Sequence, residues 1–346
     1  MYRLIFIFAV LSVQGIAQNQ KYYLCQRSSD KIVIDGGLSE KSWQNALWSD
    51  CFVDIEGDKQ PVPEFSTRMK MIWDDSCLYI AAEIVEPDIW ATLTERESVI
   101  FYDNDFEVFI DPDGDTHNYA EFEINAFGTE WDLLLVKPYR NGGPPLIQWD
   151  IDGVKSAVKI HGTINKPGDK DDKWIVEMAI PFKSLFEISI DKNAPEIGEY
   201  WRMNFSRVQW KTQVVDGKYV KLKNETTGKN LPEQNWVWSP QGAIDMHRPE
   251  KWGYVQFSNL PAGSEKDSIV KDPDGEILAQ MWNMYEKQKH YFMQHRKFNP
   301  DMEHSPNVKL DCCDKSFEIL YYPKDREYYW SINEDGLIRK NVILKH

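Results

Sequence analysis

The sequence predicts a mainly β protein: an antiparallel β-sandwich or jelly roll followed by a small C-terminal α+β appendage. Between Ile32 and Leu260, polar and apolar residues alternate repeatedly, which is typical of strands with one buried face. Clusters of Gly, Pro, Asn and Asp interrupt these runs at short intervals, as expected where antiparallel strands turn. Helical periodicity is scarce in this region, since only residues 40–46 and 182–186 would form short helices.

Two hairpins can be predicted directly from the pattern, each with two alternating runs joined by an Asp-rich turn. Residues 68–73 pair with residues 77–83, and residues 106–110 pair with residues 119–125. The remaining runs carry the same alternation with less distinctive turns. They predict strands over residues 130–136, 157–163, 174–180, 200–210 and 252–257.

The pattern changes after Leu260. A segment rich in Pro, Gly and charged residues predicts a linker over residues 261–274, and this linker separates a sandwich of residues 30–260 from an appendage of residues 275–346. Apolar residues at helical spacing predict a helix over residues 276–295. A three-stranded meander is predicted to follow, over residues 317–322, 327–332 and 337–344.

The N-terminal residues 1–17 have the features of a secretory signal peptide. Arg3 precedes an apolar run over residues 4–13, and Gly15-Ile16-Ala17 supplies a small-residue cleavage site. The run is too short to span a bilayer, and no other segment is predicted to be transmembrane. We therefore expect a secreted or periplasmic protein after cleavage near Ala17.

Composition excludes one class of partner and suggests another. The chain has 40 Lys and Arg against 55 Asp and Glu, and a net charge of −15 argues against nucleic acid. Aromatic residues make up 13% of the chain, more than a core of this size needs. Sugar rings stack on aromatic faces while carboxylates accept hydrogen bonds from hydroxyls, so composition favours a polysaccharide or oligosaccharide as partner.

Five cysteines give no clear disulfide framework or metal site. Their number is odd, and no CxxC or zinc-type Cys/His spacing is present. We expect mostly buried or unpaired thiols with at most one bridge, and the pairing stays open. The cysteines are Cys25, Cys51, Cys77, Cys312 and Cys313.

Carboxylates could supply catalysis or bind metal. Asp105 with Glu107, and Glu121 with Glu123, each place two carboxylates on one face of a strand, so a glycoside hydrolase remains an alternative. No nucleophile elbow, phosphate loop or dinucleotide fingerprint is present. The chain is accordingly expected to have no catalytic residues and to require no cofactor.

The turn of residues 111–115 contains a candidate metal site. Asp111, Asp113 and Asp115 are spaced as oxygen ligands of a calcium loop can be. The turn lacks the late bidentate Glu of an EF-hand, which favours a polar hairpin turn without metal. Structural calcium therefore stays an alternative at this position.

An ordered set of segments resembles the family 9 carbohydrate-binding modules and the wider group of DOMON-like sandwiches. The set opens with Ile34-Asp35-Gly36 and Trp43, which resemble the "IDG.LdE..W" start of that family. It extends over about residues 30–260, and the appendage lies outside it. The segments are residues 34–43, 72–80, 103–111, 174–181, 238–242 and 252–257.

This resemblance implies a jelly roll that binds sugars and structural calcium, and that is often attached to xylanases and other polysaccharide hydrolases. The family's best-understood members clamp a sugar between two tryptophans. Matching implies that Phe101, or Tyr102 if the loop slips, takes the first clamp position, and Met246 the second, with Trp238 as the nearest indole. The function implied is that of a secreted, non-catalytic carbohydrate-binding protein that acts in polysaccharide breakdown.

The resemblance also implies polar ligands for the sugar, with one departure. Glu107 corresponds to the acidic ligand and Asn125 to an amide ligand, whereas Glu123 stands where an arginine is expected. A Phe and a Met would form a weaker clamp than two indoles. A different aromatic platform is therefore an alternative, formed by Trp131, Tyr139, Trp149 and Trp238.

Two further classes of function stay open. Relatives of the fold bind haem, and Met246-His247 could supply an axial ligand, although no CxxCH motif is present for covalent attachment. The appendage of residues 275–346 suggests a module that binds a protein partner at the cell envelope.

Overall fold

The computed structural model describes residues 20–343, so the predicted signal peptide lies outside the described residues. A β-sandwich comes first, and helix α1 (Lys41–Asn45) is its short helix. The strands of the sandwich are β1 (Tyr22–Arg27), β2 (Val53–Asp54), β3 (Thr67–Trp73), β4 (Cys77–Val85), β5 (Asp105–Asp111), β6 (Tyr119–Asn125), β7 (Glu130–Leu135), β8 (Pro145–Leu146), β9 (Lys155–His161), β10 (Lys173–Pro181), β11 (Tyr200–Gln209), β12 (Thr212–Val215), β13 (Lys218–Lys221), β14 (Gln234–Val237) and β15 (Gly253–Pro261).

Strand order confirms the predicted mainly β fold class. The long sheet runs β8-β7-β6-β5-β11-β15-β1-β3-β4-β10-β9, with β14 and β2 attached beside β11, and it folds over so that its two halves form the layers. Both predicted hairpins are present, as β3–β4 and β5–β6. One strand departs from the antiparallel expectation, because β1 pairs in parallel with both β15 and β3.

The main hydrophobic core lies between these halves. Strand alternation directs Phe106, Val108 and Ile110 of β5 into it, where they meet side chains from the other layer such as Ile80 and Met178. All five side chains are inaccessible to solvent. The alternate residues of β5 consequently point to the opposite surface of its layer.

The appendage contains one helix and one small sheet. Helix α2 (Gly275–His295) begins one residue before the predicted start and ends as predicted. The sheet has four strands instead of the predicted three, because residues 308–312 add an edge strand whose Val308 is buried. The strands are β16 (Val308–Cys312), β17 (Phe317–Tyr321), β18 (Tyr328–Asn333) and β19 (Ile338–Val342).

The appendage contacts the sandwich through the loop that follows β7. The Oδ1 atom of Asn141 accepts hydrogen bonds from the Tyr285 hydroxyl at 3.1 Å and from Lys289 Nζ at 2.9 Å. Its amide nitrogen donates to the carbonyl of Asp335, and Lys137 Nζ lies 2.8 Å from the Asp335 carboxylate. Asn141 is thus one centre of the polar contacts between the two parts, and the ion pair of Asp115 with Arg339 is another.

Two further sequence predictions concern the pairing of the cysteines and the presence of membrane-spanning segments. All five cysteines are free thiols, and Cys25 is buried in the core. Between residues 20 and 343, no helix is long and apolar enough to cross a bilayer.

Candidate functional site

The residues of β5 that point away from the core form a polar row with their neighbours on adjacent strands. We call this surface of β5, β6, β7 and β11 the outer face. Glu107 on β5 lies opposite Glu123 on β6 and opposite Ser206 on β11. Glu123 in turn lies opposite Trp131 on β7. One row across four strands therefore carries an indole, two carboxylates and a hydroxyl.

Four carboxylates on this face form what we call the acidic cluster: Asp105, Glu107, Glu121 and Glu123. Loops cover them, and their exposed fractions are 0%, 5%, 6% and 1%. Burial raises the pKa of Glu107 to about 7. Burial, followed by the charge of Glu107, raises the pKa of Glu121 and of Glu123 well above the ordinary value. Negative charge is therefore costly here unless a cation or hydrogen-bond donor compensates it.

Aromatic rings border one side of the acidic cluster. The backbone N–H of Phe101 donates to Oε2 of Glu123 at 3.0 Å, which fixes the short turn of residues 100–102 against the face. The Phe101 ring lies 4.9 Å from the ring of Tyr102 and 6.4 Å from that of Trp131. Tyr102 is 54% exposed, and Phe101 and Trp131 are half-buried. Together the three rings offer apolar surface beside buried carboxylates.

A second group of rings closes the other side of the cluster. His247 Nε2 lies 3.9 Å from Oε2 of Glu121, and its Nδ1 lies 3.0 Å from the Tyr119 hydroxyl. The Tyr139 ring centroid is 4.4 Å from the imidazole. Burial, reinforced by the charge of Arg140, lowers the pKa of His247 to about 3, so the ring is neutral at pH 7. It therefore brings no positive charge to the carboxylates.

Comparison with known proteins identifies the sandwich. The model of a family described as "Carbohydrate family 9 binding domain-like" matches residues 34–256, nearly two thirds of the chain. The chain belongs to this family. The match begins in the Ile34-Asp35-Gly36 segment and ends within β15, so the acidic cluster and its rings lie inside the family 9 domain.

Solved structures with a similar fold include two of a family 9 module from Caldicellulosiruptor kristjanssonii. The cellotriose complex has 15% identity and a TM-score of 0.44, and covers 73% of this chain and 100% of that chain. The glucose complex has 14% identity and a TM-score of 0.43, and it covers 72% of this chain and 100% of that chain. A Bacteroides uniformis protein, whose name assigns it carbohydrate binding provisionally, has 16% identity, a TM-score of 0.49, and coverage of 69% and 100%. No curated protein matches the chain.

Four of the predicted site residues come together in the family 9 domain. Phe101, Tyr102, Glu107 and Glu123 lie on the outer face, within one or two side chains of one another. Because Glu123 occupies the place where an arginine was expected, the site concentrates acidic groups instead of alternating charge. Their role in binding stays a prediction.

Asn125 is close to this group, but its side chain is fully engaged in holding loops. Its amide nitrogen donates to the Leu93 carbonyl at 2.9 Å and to Asp103 Oδ2 at 3.1 Å. Its Oδ1 accepts from the N–H groups of Phe127 at 3.0 Å and Thr129 at 3.1 Å. All four hydrogen-bonding positions of the amide are therefore used. This geometry corrects the prediction of a ligand-binding amide at Asn125.

The two residues predicted for the far side of the clamp also need correction. Trp238 is 2% exposed and packs in the main core against Phe205, with a ring separation of 5.9 Å, so it offers no face to a ligand. Met246 is 9% exposed and packs in a separate apolar cluster with Phe109 and Trp252. Both side chains support the sandwich instead of lining an open surface.

The alternative aromatic platform does not assemble. Trp131 lies beside Phe101, and Tyr139 lies against His247. Trp149 packs against the main core, and its indole donates to Glu187 at 3.1 Å. Since Trp238 lies inside that core, these four predicted rings do not share one surface.

The Asp-rich turn after β5 brings its three carboxylates together. Asp111, Asp113 and Asp115 each offer an oxygen within 4.8 Å of the others. Backbone N–H groups already bind all three, and Arg339 Nε lies 3.4 Å from Asp115 Oδ2. Burial, followed by the charge of Asp113, raises the pKa of Asp115 to about 6. The oxygen donors suit a hard cation, although the guanidinium compensates part of their charge.

Two contributors to the site were not singled out from the sequence. Ser206 completes the row of Glu107, and only the strand register could reveal this. Trp210 lies against the short turn of residues 100–102. Its indole donates to the Phe101 carbonyl at 2.8 Å, and Lys221 Nζ lies 3.5 Å from its ring centroid. The alternation of residues 200–210 indicated a strand but not which strand would be its neighbour.

Proposed function

We propose that this chain is a non-catalytic carbohydrate-binding protein that holds an oligosaccharide on the outer face. The observation that carries the proposal is the rim of Phe101, Tyr102 and Trp131 directly beside buried carboxylates in a family 9 domain. Sugar C–H faces would stack on these rings, and ring hydroxyls would bind the oxygen atoms of Glu107 and Glu121, which keep some exposure.

Titration calorimetry of the purified protein with cellotriose and glucose tests this proposal, followed by a glycan array if neither binds. These sugars come first because a family 9 module forms complexes with them. Replacing Tyr102 and Trp131 by Ala should weaken binding by about fivefold or more, since an aromatic contact contributes about 0.5–1.5 kcal/mol. Tyr322→Ala is the matched control, because this exposed tyrosine lies in the appendage. Equal losses in both variants would contradict the assignment of the face.

We further propose that the protein is exported after cleavage near Ala17 and supports polysaccharide breakdown, including xylan breakdown, by adhesion. The signal-peptide features of residues 1–17 support export. Mass spectrometry of the protein from culture medium or periplasm should give a chain that starts at Gln18. A full-length chain retained in the cytoplasm would contradict export.

A hydrolase is the second candidate, because Asp105, Glu107, Glu121 and Glu123 unite both predicted carboxylate pairs in one cluster. Release of reducing sugar from xylan or cellulose would favour it over adhesion. Haem binding has less support, since His247 is enclosed by aromatic rings and Met246 is packed against Trp252. A protein partner for residues 275–346 stays a prediction.

We also propose that the turn of Asp111, Asp113 and Asp115 binds a structural Ca²⁺ ion. Three carboxylate oxygens within 4.8 Å of one another support this, because Ca²⁺ takes oxygen ligands at about 2.3–2.6 Å. Chelation with EDTA should lower the Tm of the wild-type protein by more than it lowers the Tm of Asp113→Asn. An equal response of both proteins would contradict the site.

A further inference from the structure

Most buried carboxylates in this protein outside the outer face are compensated by a basic side chain. Each of the following pairs includes a carboxylate side chain that is at most 4% exposed, and each has an N···O distance below 3 Å. Such pairing removes the cost of an isolated buried charge. The pairs are Glu86 with Arg207 at 2.6 Å, Glu250 with Arg140 at 2.8 Å and Asp274 with Lys340 at 2.9 Å.

The acidic cluster departs from this rule. In the part of the chain that the structure describes, none of its four carboxylates forms an ion pair with Lys or Arg, and its one nearby imidazole, that of His247, is neutral. Its members are nevertheless more than nine-tenths buried. The cluster therefore combines four buried acidic groups without the basic partners that Glu86, Glu250 and Asp274 have.

Two polar atoms at the cluster have no hydrogen-bond partner of normal length and angle in the described residues. They are Oδ2 of Asp105 and the hydroxyl oxygen of Ser206, and both residues are fully buried. Ser206 lies opposite Glu107 across the strands, on the face that carries the cluster. Unsatisfied polar atoms at such depth indicate a missing ligand, since buried polar groups are nearly always bonded.

The ligand that fits is a cation. Asp105, Glu107 and Glu123 each provide a carboxylate oxygen, and these oxygens lie within 4.8 Å of one another. That separation is about twice a Ca²⁺–oxygen distance of about 2.4 Å, so one ion can contact all three. The donors are all oxygen, which selects a hard cation over zinc or copper. We propose that Asp105, Glu107 and Glu123 bind a divalent cation, Ca²⁺ by this chemistry, on the outer face, separate from the Asp-rich turn.

The same ion would take part in sugar binding, and this step rests on the proposed function. Ca²⁺ accepts six to eight oxygen ligands, and three carboxylates leave positions free. Vicinal hydroxyls of a sugar can fill two of them while its ring stacks on the rim of Phe101, Tyr102 and Trp131. A cation thereby supplies the positive charge that no Lys or Arg among the described residues brings to these carboxylates by an ion pair.

Calcium binding by the purified, EDTA-treated protein tests the metal site. In calorimetry with CaCl₂, the double variant Glu107→Gln/Glu123→Gln should lose one bound Ca²⁺ ion or bind that ion at least tenfold more weakly. Asp113→Asn should retain this ion. In EDTA, the double Gln variant should have a Tm equal to or above that of wild type, because two buried acids are gone, and its Ca²⁺-dependent rise in Tm should be smaller than that of wild type by a few degrees. This second readout separates loss of the site from misfolding.

Sugar titrations separate this inference from the proposed function. Cellotriose binding that is at least tenfold weaker in EDTA and is restored by Ca²⁺, in both wild type and Asp113→Asn, supports the whole inference. Calcium binding without an effect on sugar overturns only the role in recognition. Identical calcium stoichiometry and affinity in wild type and the Glu107/Glu123 double variant overturn the metal site, even if sugar still binds.

Discussion

The indole nitrogen of Trp43 donates a hydrogen bond to Oε1 of Glu177 at 2.7 Å, where both side chains are fully buried. The other carboxylate oxygen accepts the backbone N–H groups of Asp35 at 2.9 Å and Gly36 at 2.8 Å. Two segments that resemble the family at distant places in the sequence thus form one unit. A single carboxylate on β10 anchors the turn and the helix at the start of the sandwich.

Replacing Glu177 by Gln should destabilise the protein by about 2 kcal/mol. The amide keeps one acceptor oxygen, so at least one buried donor loses its partner. Trp149 and Glu187 form a similar bond of 3.1 Å at an exposed position, and Glu187→Gln should cost less than about 0.5 kcal/mol. Urea denaturation measures both values, and equal costs would contradict the anchoring role.

Gly253→Ala should destabilise the sandwich by about 1–3 kcal/mol. A Cβ atom at this position would overlap carbons of the buried Trp238 ring, which cannot move within a filled core. Gly275→Ala is the control, because nothing lies within 4 Å of a Cβ there and the residue begins α2. Thermal unfolding should therefore show a lower Tm for the first variant and an unchanged or higher Tm for the second.

The stabilisation that Glu250 provides through its ion pair should be lost in acid. Burial acts to raise its pKa, but Arg140 at 2.8 Å and then Arg248 outweigh this effect and hold the pKa below the ordinary value of 4.5. Because the folded-state pKa is depressed, this stabilisation is present above pH 4.5 and is lost as the pH falls through the folded-state pKa. Glu250→Gln should cost about 2–3 kcal/mol at pH 7.

Urea denaturation of both proteins between pH 7 and pH 3 measures this dependence. The difference in unfolding free energy between wild type and Glu250→Gln should narrow as the pH falls below 4.5. A constant difference across that range would show that the carboxylate charge is not what stabilises the fold.

Asn141→Ala should loosen the appendage from the sandwich without unfolding either part. The change removes the acceptor of Tyr285 and Lys289 and the donor to the Asp335 carbonyl, all of which bridge the two parts. We expect faster proteolytic cleavage within residues 261–274. The control is Asn224→Ala, which alters a turn inside the sandwich, and equal cleavage of both variants would contradict the bridging role.

The sequence predicted most of the longer alternating strands and missed strands that are very short or that no turn marks. The hairpins β3–β4 and β5–β6 have clear alternation on both sides of an Asp-rich turn. Strand β1 pairs in parallel with strands that lie far along the chain, so no turn marks it. Strand β14 is only four residues long, too short for its alternation to be recognised.

The site could be predicted in part for the same reason. Glu107 and Glu123 belong to the well-marked hairpin β5–β6. The period of two placed Asp105 with Glu107 and Glu121 with Glu123, but the meeting of the two pairs depends on the strand register. Trp238 and Met246 follow the unrecognised strand β14, and without its register their direction could not be known. Asn125 was predicted as a ligand because its loop contacts depend on the fold of residues 93–129, which the sequence pattern does not reveal.

The parallel pairing of β1 sets the order in which the protein can fold. Synthesis produces β1 before every other strand of the sandwich, yet its partner β15 comes last. The two layers therefore cannot be joined through β1 until the whole sandwich sequence has left the ribosome. Contacts between such distant segments close slowly, and the incomplete chain stays open meanwhile. Strand β1 therefore waits for β15 longer during synthesis than any other strand of the sandwich waits for a partner.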